Sequence, residues 1–552
     1  MAVFIGRPLK GGVMDARITI ILVYLLATLV IGSIFRRTSK LNKTEFFLAG
    51  RSLTRVLLFF TMSATNFSAF TIFGLSGAGY RIGYGFYPLM GFGTGFMALT
   101  FHIIGHKIFI LSKNNYITPS DFIYDRYRSA FLKKLFSLVM VVFTLPYIAI
   151  QAIASGKSLN ALAGIPYLAG ALLVTGFVVA YVALGGMRSI AWTDLFQGIL
   201  MIGFTFTAFI IIARRLGGFV PIHREILKIQ PALMSRPGGN AVLGPGVWFG
   251  YLFLWFFADP MFPQLFQRFM AARDERALQA TAVLYPLVTT FLFFLTVSIG
   301  VMGRIAFPDL SPELSDTIFP LLLGRFTGTF LSTLLLTGSI AALMSTMDSQ
   351  LLTLTSMITN DFFAIKRNEI LKEKIVIILL GVIGFIIAIR PPQTILDFIN
   401  KTTFNGLSVL APSVIGGLYW KKANRFGAVT SILAGETLVV LFYLGILATP
   451  SVLPVVPIVS VSGVLFITVS LLTASPGENT DIVFSIRPSS LLWAAFFVFM
   501  FLLGNDFWNW SKKPVLLAGL PLWVWYFIGL GIVLSAAMML YFKRSVNTEG
   551  RN

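Results

Sequence analysis

The chain alternates long apolar runs with short polar segments. Runs long enough to cross about 30 Å of hydrocarbon as helices occur about fifteen times. Because lipid offers no partners for backbone N–H and C=O groups, these runs predict helices that satisfy those groups internally. The predicted spans cover residues 16–35, 54–79, 83–110, 132–155, 164–184, 190–213, 246–268, 279–304, 327–358, 374–390, 394–419, 426–447, 452–473, 488–504 and 518–542.

The basic residues between the spans predict the orientation of the chain. Clusters of Lys and Arg favour the cytoplasmic side, and here they alternate with segments that contain fewer Lys and Arg residues. The N-terminus is therefore expected outside and the C-terminus in the cytoplasm. Segment 214–228 is basic and falls outside in this scheme, but long loops follow the rule weakly. The clusters taken as cytoplasmic are 36–43, 125–134, 271–276, 364–374, 421–425 and 543–545.

Two predicted spans contain residues that interrupt a helix. The second reads FFTMSATNFSAFTIFGLSGAGY (59–80), and the seventh reads WFFADPMFPQLFQR (255–268) with two prolines. Broken backbone at membrane depth survives where it lines a polar cavity or is buried in protein, although each break alone also fits an ordinary kink. The two open successive blocks of five spans. Paired broken helices in corresponding halves indicate a central transport site built from inverted repeats.

The ninth span carries hydroxyls and a carboxylate close together. Ser345, Asp348 and Ser349 share one helix face by their i, i+3, i+4 spacing, and Thr346 lies beside them. Hard cations such as sodium prefer several oxygen ligands. A single hydroxyl usually bonds its own helix, but a carboxylate within a span usually faces a pathway or a partner. Asp194, in the predicted span 190–213, is a second acid within a span.

Composition supports the membrane class and removes other classes. The 552 residues are 56% hydrophobic and 12% charged, and the net charge of +21 lies in short clusters between apolar runs, which disfavours a nucleic-acid partner. The sequence has no Cys, which excludes thiol chemistry, and its three His residues (His102, His106, His223) make a zinc enzyme improbable. No removable signal peptide is expected.

Three stretches resemble the sodium:solute symporter family, which includes sodium-coupled sugar, proline, sialic acid and pantothenate carriers. Gly164–Ser189 fits the first family signature throughout, including Tyr-Val-x-x-Gly-Gly-Met-x-Ser. Gly417–Thr437 fits the second signature except at Thr437, where a small apolar residue is expected. AALMSTMDSQLL (341–352) is very similar to the sodium-binding segment of the proline carriers.

The resemblance implies an all-α polytopic fold of two inverted five-helix repeats, as in the leucine transporter, with about 13 core helices and 2 additional C-terminal helices. The implied organisation is an N-terminal segment with the first helix and a cytoplasmic loop, the two repeats, peripheral helices and a C-terminal helix pair. These parts cover residues 1–52, 53–245, 246–420, 421–475 and 476–552. The last part is similar, over a short stretch, to small membrane proteins that accompany these symporters, so it is either a fused accessory module or a pair of extra peripheral helices.

The resemblance also implies a sodium site between the first broken helix and the ninth span. Its ligands would be the backbone carbonyls of Ala64, Phe67 and Ala342 and the hydroxyls of Ser345 and Thr346. Some members hold a second cation, which here would involve Asp194, Ser345, Asp348 and Ser349. Asp348 replaces a hydroxyl expected by the family pattern, so it would strengthen a sodium site, bind a proton or pair with a cation.

By family placement the solute site lies beside the sodium ion. For each polar residue the alternative is a hydrogen bond between helices, and for an aromatic residue it is plain packing. The expected residues are Asn66, Ser68, Thr71, Tyr87, Tyr147, Gln151, Trp255, Asp259, Gln264, Asn400, Lys401 and Asn405.

Lys401 lies in the unusually polar stretch NKTTFNG (400–406), in an otherwise apolar span. A lysine there either snorkels to the outer surface, pairs with Asp259 or binds a carboxylate of the solute. The last two alternatives are compatible if the solute displaces the ion pair.

The predicted function is sodium-coupled import of a small organic solute, a carboxylate or an amino acid, across the cell membrane. The expected partners are sodium, the solute and the bilayer. The alternative is a membrane sensor of the same fold, because some sensor kinases contain a region similar to FADPMFPQLFQRFMAARDE (257–275). About ten residues follow the last span, so such a sensor would need a separate partner. A membrane enzyme is disfavoured because the sequence shows no convincing nucleophile and base.

Overall fold

The structure is a computed structural model, and it describes residues 11–35, 42–363, 370–391, 394–448, 451–473, 477–485, 488–510 and 512–549. The described chain is almost entirely helical, with one short antiparallel pair of strands, β1 (Leu516–Leu517) and β2 (Leu520–Pro521). The helices are α1 Gly11–Ile34, α2 Lys43–Leu48, α3 Arg55–Asn66, α4 Leu75–Ile82, α5 Phe86–Met97, α6 Lys107–Leu111, α7 Pro119–Tyr127, α8 Ala130–Ala163, α9 Tyr167–Arg215, α10 Phe219–Ile229, α11 Pro245–Ala258, α12 Pro263–Ala271, α13 Glu275–Ala306, α14 Ile318–Phe326, α15 Thr329–Met357, α16 Ile370–Ala388, α17 Ile395–Ile399, α18 Asn405–Ser408, α19 Ala411–Tyr419, α20 Arg425–Tyr443, α21 Val455–Leu472, α22 Pro488–Asn505 and α23 Leu522–Glu549.

Among the described residues, ten helices are long and apolar enough to cross a membrane, or eleven if the bent pair α3 and α4 is one span. Part of the difference from the fifteen apolar runs arises because the predicted spans 246–268 and 394–419 are interrupted, and because two other predicted spans belong to one long helix. The predicted spans 164–184 and 190–213 both lie in α9. They are separated at Gly186, whose φ of 66° and ψ of −172° are not helical. A Cβ at this glycine would lie 2.7 Å from the Phe46 carbonyl oxygen, so the close approach also requires glycine.

Both breaks predicted from the sequence are confirmed. α3 ends at Asn66, and the chain resumes after a bend of 58° with a π-helical turn at Phe70–Gly74 that leads into α4. α11 ends at Ala258, and a 3₁₀ turn at Asp259–Met261 precedes α12, whose first residue is Pro263. Proline lacks the N–H that would continue the hydrogen-bond ladder, so the second break follows from local chemistry.

The central helices place the two breaks near each other. α15 packs against α9, α8 and α3, while α13 packs against α3, α4 and α5. α12 also packs against both α3 and α15. The breaks therefore lie in the protein interior, where exposed backbone carbonyls meet side chains from other helices.

The C-terminal helix pair packs on the same central helices. α23 lies against α13 and α5, and α22 lies against α5 and α11. Arg236, in the segment between α10 and α11, forms an ion pair with Asp506 at 2.9 Å, and both side chains are buried. The Arg236 guanidinium also lies 5.2–5.6 Å from the rings of Trp248, Trp510 and Trp523. This cluster fixes the turn after α22 to the central helices.

Candidate functional site

The break after α3 frees two backbone carbonyls. In a continued helix the carbonyls of Ala64 and Thr65 would accept hydrogen bonds from the N–H groups four residues later. Those N–H groups donate elsewhere, to Thr71 Oγ1 at 3.3 Å and to Gln151 Oε1 at 3.0 Å. Because Gln151 belongs to α8, a tertiary contact stabilises the break, and both carbonyls are available to other groups.

Two hydroxyls of α15 face these carbonyls. Ser345 Oγ donates to the Ala64 carbonyl at 2.8 Å, and Thr346 Oγ1 donates to the Thr65 carbonyl at 2.9 Å. The same hydroxyls lie 3.0 and 3.2 Å from the carbonyl oxygen of Ala342, one turn earlier in α15. All five residues are buried. The break in α3 and the middle of α15 therefore share a compact group of oxygen atoms.

This oxygen group has the chemistry of a sodium site. Carbonyl and hydroxyl oxygens are ligands that hard cations accept, and their lone pairs carry no net charge. Four of the predicted sodium ligands, Ala64, Ala342, Ser345 and Thr346, meet here. The fifth, Phe67, follows the last residue of α3 with extended torsions of φ −86° and ψ 94°. The Thr65 carbonyl was not predicted, and it faces Thr346.

Two of the four residues predicted for a second cation, Asp194 and Ser349, contact an arginine. Arg268 Nη2 lies 3.1 Å from Asp194 Oδ2 and donates to Ser349 Oγ at 2.5 Å. The side chains of Arg268 and Asp194 are fully buried. A guanidinium is a permanent cation, so the positive charge that Asp194 requires is supplied by the protein itself. Ser345 does not join this group, because its hydroxyl faces Ala64.

The Arg268 network connects α12 to two other helices. Arg268 Nε donates to Thr61 Oγ1 at 2.9 Å, and the Thr61 hydroxyl donates in turn to Asp194 Oδ2. Arg268 Nη1 donates to the Gln264 carbonyl at 2.9 Å within α12. α12 is thereby bound to α3 and α9 through side chains.

Asp348 lies on the side of α15 that faces α9. Tyr181 Oη donates to Asp348 Oδ2 at 2.6 Å, and Ser349 Oγ donates to Asp348 Oδ1 at 2.9 Å. Asp348 is fully buried. The structure therefore directs this carboxylate to a tyrosine of the first signature stretch and away from the Ala64 and Ser345 oxygens.

Polar residues from the two breaks face each other beside the oxygen group. The Asn66 amide donates to Tyr285 Oη and also bonds the Asp259 carboxylate. Ser68 Oγ and Tyr147 Oη lie 2.9 Å apart. Asp259 is only 2% exposed, at the first position of the turn after α11. These residues connect α3, α8, α11 and α13 around one buried carboxylate.

Aromatic rings pack around the same place. The Trp255 ring centroid lies 4.8 Å from that of Phe404 and 6.2 Å from that of Phe70. The Phe262 ring lies 5.7 Å from Phe404 and 5.1 Å from Tyr147. We call these five residues the aromatic cage. It includes the predicted residues Trp255 and Tyr147, while the other three were not predicted.

Lys401 lies outside this cluster. Its side chain is exposed, whereas Asp259 is buried, and among the described residues the two form no ion pair. Of the three alternatives for Lys401, the ion pair with Asp259 is not formed in this conformation. Thr403 and Phe404 of the π-helical turn at Asn400–Phe404 are buried, so the turn directs Lys401 outward. An exposed position is compatible with the snorkelling alternative, in which the ammonium reaches the membrane interface.

Three further predicted residues lie at or beyond the edge of the cluster. Asn400 Nδ2 donates to Tyr251 Oη at 2.9 Å, and Asn405 Nδ2 donates to the Asn400 carbonyl at 3.1 Å. The Tyr87 ring packs against Phe294 at 5.9 Å between α5 and α13. Asn400 thus borders the aromatic cage through Tyr251, and Tyr87 belongs to a helix interface.

The sequence did not single out Arg268, Tyr285 or Phe404. Arg268 had a usable signal, because an arginine inside a predicted span usually has a buried partner. Tyr285 and Phe404 had none, since the chain contains 16 Tyr and 54 Phe.

The two broken helices and the oxygen group between α3 and α15 define a secondary active transporter with the leucine-transporter fold. Solved structures with this fold are similar to the whole arrangement. A substrate-bound, outward-open Na⁺-coupled sialic acid symporter matches with a TM-score of 0.70 and 18% identity over 84% of this chain and 99% of that chain. MHP1, a nucleobase-cation-symport-1 family transporter, matches with a TM-score of 0.55 and 11% identity over 81% of this chain and 99% of that chain.

Sequence comparison identifies the family. The sodium:solute symporter family model matches residues 46–435, and the chain belongs to this family. The sodium/pantothenate symporter of Escherichia coli (strain K12) is 28% identical over 73% of this chain and 85% of that protein. The osmoregulated proline transporter OpuE of Bacillus subtilis (strain 168) is 26% identical over 85% of this chain and 97% of that protein. The chain is thus a sodium-coupled symporter of small organic solutes.

Proposed function

We propose that the chain imports a carboxylate or an amino acid together with sodium held by the oxygens of Ala64, Phe67, Ala342, Ser345 and Thr346. The observation that carries this proposal is the meeting of the freed α3 carbonyls with the α15 hydroxyls. The names of the relatives support the solute class, because pantothenate contains a carboxylate and proline is an amino acid. The Thr65 carbonyl belongs to the same oxygen group.

The sodium gradient supplies the free energy for uptake. One sodium ion that moves inward through 100 mV releases about 2.3 kcal/mol before its concentration gradient is counted. About 1.4 kcal/mol corresponds to a tenfold concentration ratio, so one ion supports more than tenfold accumulation of a neutral solute. Sodium at the α3 break favours the outward-open state, and solute enclosure then precedes the inward rocking of the repeats.

A single sodium ion is coupled to each solute. The place of a second cation is taken by Arg268, which neutralises Asp194 and contacts Ser349. A second sodium there would meet a guanidinium of the same sign in a site of low dielectric, where like charges repel strongly.

The two inverted repeats cover residues 53–245 and 246–420, and each begins with one of the broken helices. The N-terminus lies outside the cell membrane and the C-terminus lies in the cytoplasm, as the basic clusters indicate. Residues 421–475 form peripheral helices. The C-terminal pair (476–552) acts as a fused accessory module, because buried contacts of Arg236 with Asp506 and Trp523 join it to the central helices.

Uptake into proteoliposomes tests the proposed function. The purified chain is supplied with an inward sodium gradient and a panel of labelled amino acids and carboxylates that includes proline and pantothenate. Uptake of at least one solute is expected to fall to background when choline replaces sodium. Uptake that is unchanged by choline would refute sodium coupling, and solute binding without any uptake would favour the sensor alternative.

A further inference from the structure

The turn between α11 and α12 contains a carboxylate without a cationic partner in the described part of the chain. Asp259 is buried, and its polar contact is the Asn66 amide. Two cationic side chains on nearby elements do not neutralise Asp259. Lys401 is exposed, and Arg268 forms an ion pair with Asp194. Burial of a carboxylate is costly in free energy unless a positive group joins it, so intramembrane acids usually mark a ligand or an ion path.

The aromatic cage begins one helical turn before this carboxylate. Trp255 belongs to the last turn of α11, and its carbonyl accepts the N–H of Asp259. The faces of Trp, Tyr and Phe rings attract cations that lie within about 6 Å of a ring centroid, and cages of such rings bind ammonium ligands. A buried carboxylate one helical turn from Trp255 therefore favours an organic cation over an anion.

Two buried polar atoms of the helices on either side of this turn are also without partners. Trp255 Nε1 and Gln264 Oε1 are buried, and neither has a hydrogen-bond partner among the described residues. One is a donor and the other is an acceptor. Buried polar groups normally have hydrogen-bond partners. These two atoms therefore indicate a ligand that supplies both an acceptor and a donor. A zwitterion, with its carboxylate and its ammonium, supplies both.

We infer that the transported solute carries an ammonium group, which binds Asp259 at the turn between α11 and α12, while Trp255 Nε1 donates to an acceptor on the same solute. This inference rests on the proposed sodium-coupled import and narrows the solute class to amines and amino acids. Sodium has its own oxygens between α3 and α15, so the solute ammonium is the cation that neutralises Asp259. A carboxylate that lacks an amine would meet Asp259 with the same sign of charge.

Thermal unfolding of the purified full-length chain in sodium chloride tests this inference. The probes are the common L-amino acids, glycine betaine and choline. Each stabilising amino acid is then compared with two analogues of the same skeleton, such as pyrrolidine and cyclopentanecarboxylate for proline. Ammonium-bearing probes are expected to raise Tm, whereas the amine-free carboxylates are not. The inference is supported if the amino acid alone raises Tm, and also if both the amino acid and the amine raise it. The comparison shows whether the solute also needs an acceptor for Trp255 Nε1.

Asp259→Asn removes the charge and keeps the shape of the side chain. The apparent affinity for the stabilising probe is expected to fall by about tenfold or more, because a hydrogen bond to a charged group is replaced by one to a neutral amide. The sodium-dependent rise in Tm should persist in this variant, which shows that it folds. Asp309→Asn makes the same chemical change on the exposed loop after α13 and should leave the affinity unchanged.

Several results would overturn the inference. One is stabilisation by amine-free carboxylates alone, with Lys401→Gln rather than Asp259→Asn weakening it. Another is the lack of any Tm increase with every ammonium-bearing probe. Sodium-driven uptake of an amine-free solute would support the proposed symport and refute the ammonium inference, so the two failures are distinguishable.

Discussion

The proposed sodium site depends on single oxygen atoms. The hydroxyls of Ser345 and Thr346 donate to α3 carbonyls in the described conformation, and rotation about their C–O bonds turns lone pairs toward an ion at the same position. The carbonyls of Ala64 and Thr65 are available because the N–H groups four residues later donate to other acceptors. The proposed site therefore consists of neutral groups, and we expect sodium binding there to require no titration of an acid.

Removal of one hydroxyl tests this view of the site. Ser345→Ala is expected to raise the sodium concentration for half-maximal uptake by about 10- to 100-fold, since even indirect support of a metal ligand has effects of that size. The measurement is solute uptake against sodium concentration. Thr337→Ala is the matched control, because the Thr337 hydroxyl donates to the Leu334 carbonyl in an earlier turn of α15. An equal effect of both variants would show a general change in α15 rather than loss of a ligand.

At the scale of elements, the breaks and the short connecting helices are stabilised by partners from other helices. α10 lies between α9 and α11 and buries His223 against the segment after α4. His223 Nε2 lies 2.7 Å from Tyr84 Oη, and Nδ1 lies 2.6 Å from the Phe219 carbonyl oxygen. Tyr84 Oη also lies 2.8 Å from Ser298 Oγ of α13. A neutral imidazole satisfies this arrangement with one donor and one acceptor.

Acidification should weaken this contact of α10. Burial lowers the pKa of His223 from its ordinary value of 6.5 to about 4, and the hydrogen bond to the Phe219 carbonyl opposes the shift only in part. Between these values the unfolded state binds more protons than the folded state, so stability is full above pH 6.5 and falls as pH approaches 4. The measurement is Tm across this range. His223→Gln should show a lower Tm at neutral pH and a smaller decrease with acid, whereas identical slopes would contradict the assignment.

At the scale of the whole molecule, transport requires one group of helices to move against another. α15 and α9 pack against each other, and the broken helices α3 and α12 contact both through Thr61, Arg268 and Asp194. The Arg268 network therefore lies between parts that rock in an inverted-repeat transporter. It supplies a fixed positive charge beside Asp194 and Ser349, two of the residues predicted for a second cation.

The coupling ratio follows from this fixed charge. One sodium ion per solute is expected, measured as the solute gradient at which net flux in proteoliposomes reverses for a set sodium gradient and membrane potential. With one ion, the balancing solute ratio for a neutral solute equals the sodium ratio multiplied by a single-charge voltage factor. A balancing ratio equal to the square of that product would show two ions and would contradict the role given to Arg268.

Much of the architecture could be predicted from local sequence. Pro260 and Pro263 lie where α11 ends and α12 begins, and proline lacks the N–H donor that would continue the helix. Four of the five predicted sodium ligands meet in the structure, since the resemblance carried their positions. The direction of the Lys401 side chain was harder to predict, because one π-helical turn decides whether it faces Asp259 or the surface.

The sequence by itself determined most of the spans, the positions of the two breaks and the residue types proposed to hold sodium, because hydrophobic length, helix-interrupting residues and hydroxyl spacing act over a few residues. Only the tertiary structure decided which side chains meet across the breaks. Arg268 contacts Asp194, and Trp255 contacts Phe404, through helices far apart in the chain. Such contacts depend on the packing directions of whole helices, and a periodic apolar pattern specifies those directions poorly.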